Sequence, residues 1–200
     1  MRVLIACEES QAVCKEFRKL GHEAYSCDIQ ECSGGHPEWH IQGDAIQEAY
    51  IGKYDLMIAH PPCTYLSNAG ARHLYPKGVL NQERYQKGLE AKQFFMKLLN
   101  APIDKIAVEN PIQSRIFNIE RCDQYLQPFE YGHPLKKKTG IWLKGLPKLM
   151  PTKVVDFSES TKVAGNWFNK GGKDRQKNRS KTFPGIAKAM AEQWGKILDK

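Results

Sequence analysis

Apolar and polar positions along this chain follow two alternating rhythms, short continuous apolar runs and longer stretches with a three-to-four-residue repeat. Met1–Cys7 (MRVLIAC) is apolar throughout and leads into acidic residues, the pattern of a buried parallel strand entering a turn. Ser10–Leu20 carries Ala12, Val13, Phe17 and Leu20 at helical spacing, and Gly21 stops it. Glu23–Asp28 predicts a second strand that ends on an acid. Tyr54–Ala59 predicts a third, running into His60-Pro61-Pro62-Cys63. Leu80–Leu99 has the spacing of a long amphipathic helix, with Tyr85, Leu89, Phe95 and Leu98 or Leu99 inward. Lys105–Val108 is a fourth strand, followed by Glu109-Asn110-Pro111.

Strands alternating with helices predict an α/β domain with a mostly parallel sheet and helices on both faces. In such sheets the functional site lies beyond the carboxyl ends of the strands. Four of those ends carry distinctive polar residues: Cys7-Glu8-Glu9, Asp28, Pro62-Cys63 and Glu109-Asn110. Their convergence on one edge is the main sequence argument for an enzyme. Beyond residue 120, Gln127–Tyr131 and Gly140–Leu143 predict a hairpin or two edge strands joined by the basic turn Gly132–Thr139. Residues 145–181 are rich in Gly, Lys, Pro and Asn and predict an irregular basic arm, and Phe183–Leu198 predicts a closing helix. The whole chain, 1–200, is expected to form a single domain.

Composition narrows the class. Two hundred residues bury a sizeable core without staples. A net charge of +8 points to acidic partners, nucleic acid foremost. No apolar run approaches the roughly 18 residues of a membrane span. The six scattered cysteines fit reduced thiols in a cytoplasm better than a disulfide framework.

A cysteine after two prolines at a strand end sits on a stiff turn, since proline fixes φ and gives up a backbone donor. Carbon 5 of a pyrimidine does not attack a sulfonium methyl unaided. A thiolate adding at carbon 6 makes carbon 5 enamine-like, and an acid is then needed at ring nitrogen 3. Cys63 is the expected nucleophile. Glu109 is the expected acid, its pKa raised by burial, and Asn110 holds the carboxyl or the Cys63 loop in register.

These residues also carry a resemblance. Pro61-Pro62-Cys63, then Ser67, Ala69-Gly70 and Arg72, with Glu109-Asn110 downstream, resemble the nucleophile loop and Glu-Asn signature of DNA cytosine-5 methyltransferases. In its brevity the chain is similar to compact, phage-borne members. The resemblance implies a Rossmann-like methyltransferase fold, S-adenosylmethionine as cofactor and DNA as partner, in the cytoplasm of a bacterial host. It places Asp28 against the cofactor ribose, Asp44 at the adenine amino group, and Cys7, Glu8, Glu9, Pro62 and Thr182 around the rest of the cofactor. Ser67, Arg72, Lys137, Lys173, Arg175, Lys177 and Arg179 are expected to meet the nucleic acid. Gly132-His133-Pro134 resembles the start of a later family strand, and Phe183–Ala191 its terminal helix.

The chain departs from that pattern in three places. The family's Phe-x-Gly-x-Gly loop is Cys7-Glu8-Glu9-Ser10-Gln11 here, so without glycine it is not expected to use positive φ freely. The family's Gln-x-Arg-x-Arg positions become Leu135, Lys137 and Thr139. Only about residues 145–180 replace a large target-recognition region.

Three alternatives accompany this reading. One is the same chemistry on single-stranded nucleic acid or a free cytidine nucleotide. Another is amino-methylation of adenine or cytosine, which uses an aromatic where Cys63 stands. The last is a degenerate methyltransferase fold that binds nucleic acid. Blander roles are a buried Cys63, a Glu109 that caps a helix starting near Pro111, and a zinc site at Cys27, Cys32, His36 and His40. No metal is expected.

Overall fold

The computed structural model describes residues 1–71, 73–111, 113–156 and 181–197. A seven-stranded sheet organises them, in the order β3-β2-β1-β4-β5-β7-β6. The strands are β1 (Arg2–Ala6), β2 (Glu23–Asp28), β3 (His40–Gln42), β4 (Leu56–Ala59), β5 (Lys105–Pro111), β6 (Gln124–Leu126) and β7 (Thr139–Lys144). β1 to β5 pair in parallel, and β7 runs antiparallel between β5 and β6. The helices are α1 (Ala12–Lys19), α2 (Ala45–Ile51), α3 (Asn68–Ala71), α4 (Gln82–Leu99) and α5 (Pro184–Trp194).

The period of two along each strand builds the layers. Val3 and Ile5, Leu56 and Ile58, and Ala107 face one side, where Val13, Cys14 and Phe17 of α1 meet Ile186, Met190 and Trp194 of α5. Leu4 and Ala6, Met57 and Ala59, and Ile106 and Val108 face the other, against Ala49 of α2 and Phe95 and Leu98 of α4. The continuous apolar runs are therefore strands buried on both faces. The strand order reverses between β1 and β4, which is the switch point of a doubly wound sheet. With β7 inserted antiparallel beside β5, this is a Rossmann-like α/β fold with an antiparallel strand near one end of its sheet.

Three expectations change. β5 does not stop at Val108. It continues to Pro111 because Glu109, Asn110 and Pro111 pair with Ile141, Gly140 and Thr139 of β7. The helical turn that follows, the 3-10 turn Arg115–Phe117, is capped by Ser114, so the capping role for Glu109 falls. The edge strand lies at Gln124–Leu126 rather than 127–131, because Pro128–Glu130 closes a 3-10 turn in which Gln127 N–H donates to Glu130 at 2.9 Å. β3 and α2, which were not foreseen, fill the span before β4.

The described start of the basic arm is fixed to the scaffold. Gln124 brackets Leu149 with bonds of 2.7 and 2.8 Å, and Gln193 of α5 brackets Met150 at 2.8 Å twice. Among the described residues no helix is long and apolar enough to cross a membrane.

Candidate active site

The Cys63 loop is held from three sides. The Cys63 carbonyl accepts from Leu66 N–H at 3.2 Å and Ser67 N–H at 3.0 Å, which closes a turn directly after the two prolines. From β5, the Asn110 side-chain amide donates to the Pro61 carbonyl at 2.9 Å. Just beyond β5, Ser114 N–H donates to Leu66 at 2.7 Å, and Ser67 bridges to Gln113. From α4, the Arg84 guanidinium donates to the carbonyls of Thr64 at 3.2 Å and Gly70 at 3.1 Å while lying over the Tyr65 ring. A Cβ at Gly70 would strike the Thr64 carbonyl, so this close return of the chain requires glycine. Cys63 itself is half-buried and free of any disulfide.

Beside it stands an ion pair that the sequence reading did not contain. His60 Nδ1 lies 3.0 Å from Glu109 Oε2, with side chains only 9% and 18% exposed. Burial pushes Glu109 upward, but the hydrogen bond and charge of His60, with Lys137 and Thr139 behind, more than offset it and leave the carboxyl below its ordinary range. Burial pushes His60 down, and Glu109 and Glu8 more than reverse that, so the imidazole stays protonated above its ordinary range. The expected rise of the Glu109 pKa is thus reversed, because the burial that was to raise it is outweighed by His60 standing against the carboxyl.

The β1–α1 loop corrects a second expectation. It lacks glycine yet takes positive φ twice, at Cys7 (59°) and Gln11 (57°). Such residues cost on the order of 1–3 kcal/mol each and persist only when their surroundings over-determine them. Here they do. Glu8 accepts from Val13 N–H at 2.8 Å and Cys14 N–H at 3.2 Å, satisfying the start of α1. Gln11 is fully buried, donates to the His36 carbonyl at 2.7 Å and accepts from His36 N–H at 3.1 Å. Glu9 is engaged by the Ser33 hydroxyl. Burial raises the Cys7 thiol far above its ordinary range.

Asp28 and Asp44 both lie at this edge, at the end of β2 and the start of α2. Asp28 accepts from Gln30 N–H at 2.9 Å through one oxygen, and Asp44 from Ile46 N–H at 2.7 Å through one oxygen. Ile29, which sequence reasoning passed over, is 77% exposed beside Asp28. Pro62 is exposed next to Cys63, and Thr182 is half-buried just before α5. Ser67 is buried, with its hydroxyl accepting from Gly70 N–H at 3.2 Å. Lys137 stands over the Phe183 ring at 5.6 Å and acts on Glu109. Arg72, Lys173, Arg175, Lys177 and Arg179 lie outside the described residues.

The zinc reading loses its ligands to other work. Both ring nitrogens of His40 are engaged, by Ser26 at 2.9 Å and the Gln30 carbonyl at 2.9 Å. His36 stacks on Trp39 and pairs with Glu38. Among the described residues, no group of three or more metal-binding side chains occurs. His60 and Arg84 are the residues missed. The signal for His60 was a titratable group immediately before Pro-Pro at a strand end. Arg84, on a polar helix face 21 positions from Cys63, gave none.

No protein-family model matches the sequence, and no curated protein matches it. Among solved structures, the chain is similar to one described as a candidate DNA modification methyltransferase encoded within a prophage of E. coli. The two are 14% identical with a TM-score of 0.49, over 78% of this chain and 52% of that one. This chain spans about half the length of that structure.

Proposed function

We propose that this chain transfers a methyl group from S-adenosylmethionine to carbon 5 of cytosine in DNA, with Cys63 as covalent nucleophile. The observation that carries the reading is the bond from Asn110 to the Pro61 carbonyl, which ties the Glu109-bearing strand to the turn bearing Cys63. A thiol and a carboxyl from neighbouring parallel strands, both at the carboxyl edge beside the switch point, suit an adduct at carbon 6 with an acid at nitrogen 3.

Asp28, Asp44 and Ile29 fit the nucleoside end of the cofactor. Each carboxylate spends one oxygen internally and keeps the other for hydroxyl or amino donors, and Ile29 offers an apolar face. When bound, the cofactor supplies an electrophilic sulfonium methyl. In the residues' own steps, the Cys63 thiolate forms a bond to carbon 6 while Glu109 donates to nitrogen 3. After transfer, loss of the carbon 5 proton and elimination of the thiolate restore the aromatic ring and free Cys63.

Lys136, Lys137 and Lys138, together with Lys173, Arg175, Lys177 and Arg179, supply phosphate contacts, which position without reading sequence. The short span between β7 and α5 favours a relaxed target context, and flipping costs least from single-stranded or mismatched substrate. Base-composition mass spectrometry of host DNA, with and without expression of the chain, tests the reading. 5-methylcytosine should appear only on expression. Methylated adenine or N4-methylcytosine, or no new base, would overturn it.

A further inference from the structure

Two buried polar atoms at the proposed catalytic edge have no hydrogen-bond partner, His60 Nε2 and Asn110 Oδ1. Each such atom costs about 1–3 kcal/mol, so the edge is not built for stability alone. His60 is the more informative of the two. The fold surrounds its ring with charge from three elements: Glu109 on β5, Glu8 in the β1–α1 loop, and Lys137 in the turn before β7. Glu109 is in direct contact, and Glu8, whose own carboxyl is pushed upward by burial, acts through space to the extent that it is ionised. Lys137 opposes them.

A carboxylate paired with an imidazolium is a poor acid for a pyrimidine, because it holds no proton to give. The approaching ring nitrogen is also an acceptor, and two acceptors repel. One proton must therefore move before the base is bound productively. Of the two hydroxyl or ring protons against Glu109, that of Thr139 belongs to an alcohol too weakly acidic to give it up, which leaves the one on His60 Nδ1.

We propose that His60 is the proton reservoir of the site, resting protonated against Glu109 and passing that proton to the carboxyl as the base enters. The Nδ1–H bond breaks, an O–H bond forms on Glu109, and the imidazole is left neutral with its Nε2 proton. Glu109 then donates to nitrogen 3, and elimination of Cys63 returns the proton by the same route. This inference rests on the cytosine reading above. His60 acts through Glu109 and is a positioning residue for its proton, so the pair titrates as one unit.

The sign of the pH effect follows. In the wild type the pair keeps its proton until the pH rises through the elevated His60 value, so turnover should hold past the ordinary histidine midpoint of ~6.5 and fall only at the raised one. In His60→Gln the amide still donates a hydrogen bond to Glu109 but has no acidic proton to transfer. The acid is then Glu109 alone, raised by burial with only Lys137 and Thr139 left to oppose it, and it loses its proton at a lower pH than the pair does.

The experiment measures turnover on a cytosine oligonucleotide from pH 5 to 9 for wild type and His60→Gln. The variant should lose on the order of 10²-fold or more at pH 8, within the range of a general acid, and recover about tenfold per unit of acidification. A variant profile parallel to that of the wild type, however low, would overturn the relay and leave His60 a structural residue. NMR titration of the His60 ring in wild type and Glu109→Gln keeps the test open should His60→Gln fail to fold. The midpoint should lie above the ordinary ~6.5 and drop in Glu109→Gln, and an ordinary midpoint in the wild type would overturn the proposal. Absence of methylation by the wild type on any cytosine substrate would overturn the cytosine reading instead, and the relay with it.

Discussion

The two halves of the sheet's carboxyl edge treat their polar groups in opposite ways. Around β1 and β2, Glu8 is spent on the amides of α1, Gln11 on His36 and Glu9 on Ser33. Around β4 and β5, five buried side-chain atoms lack a partner: His60 Nε2, Arg84 Nε, Asn110 Oδ1 and both polar atoms of Gln113. All of them belong to, or hold, the Cys63 loop. A buried polar group is normally satisfied, so a cluster of unsatisfied ones marks where the chain has given up stability. The first half is a finished frame, and the second is unfinished without something bound.

That contrast predicts that substitutions in the second half cost turnover, whereas those in the frame cost stability. The largest effect is expected from Cys63→Ala. Methylation should vanish while the melting temperature and cofactor affinity stay close to wild type, and an oligonucleotide carrying 5-fluorocytosine should trap a covalent adduct with wild type only. Full activity of the variant would break the contrast at its centre.

Glu109→Gln comes next, with turnover lowered about 10²–10⁴-fold and a smaller effect on substrate affinity. Lost affinity with an unchanged turnover number would make Glu109 part of the frame. Asp28→Ala and Asp44→Ala sharpen the boundary, because both acids sit in the frame yet keep an oxygen for a ligand. Calorimetry should show roughly 10–100-fold weaker S-adenosylmethionine binding, as charged hydrogen bonds of about 1.5–3 kcal/mol would give. Asp44→Ala alone should also cost about 1 kcal/mol of stability, because Asp44 caps α2.

The smallest catalytic effect is expected from Gln11→Ala. Loss of two bonds to His36 and a residue still held at positive φ should lower stability by about 2 kcal/mol, roughly 4–8 °C. Turnover at saturating cofactor should hold. A turnover defect larger than tenfold would show that frame and site are not separable.

Much of this was legible in the sequence. The doubly buried strands announced themselves as unbroken apolar runs, and Pro61-Pro62-Cys63 and Glu109-Asn110 stood out at their ends. Short elements did not. β3 has three residues, too few for any period to show, and α2 begins at an acid that reads equally well as a strand end. The reach of β5 to Pro111 was hidden because it depends on pairing with β7, some thirty positions away. The state of Glu109 was hidden for the same reason. A carboxyl's protonation depends on what stands 3 Å from it, and His60 is 49 positions distant.

The packing of α5 on α1 sets the order in which the molecule can be completed. Val13, Cys14 and Phe17 leave the ribosome some 170 residues before Ile186, Met190 and Trp194, which cover them. Throughout that interval one face of the sheet stays open to water and to other nascent chains. Contacts of such separation make for slow folding and transiently sticky intermediates. A chain cut short at residue 181 would retain Cys63, His60 and Glu109, and would still present Phe17 and Val13 to solvent. It should accumulate as aggregate rather than as a weakened enzyme.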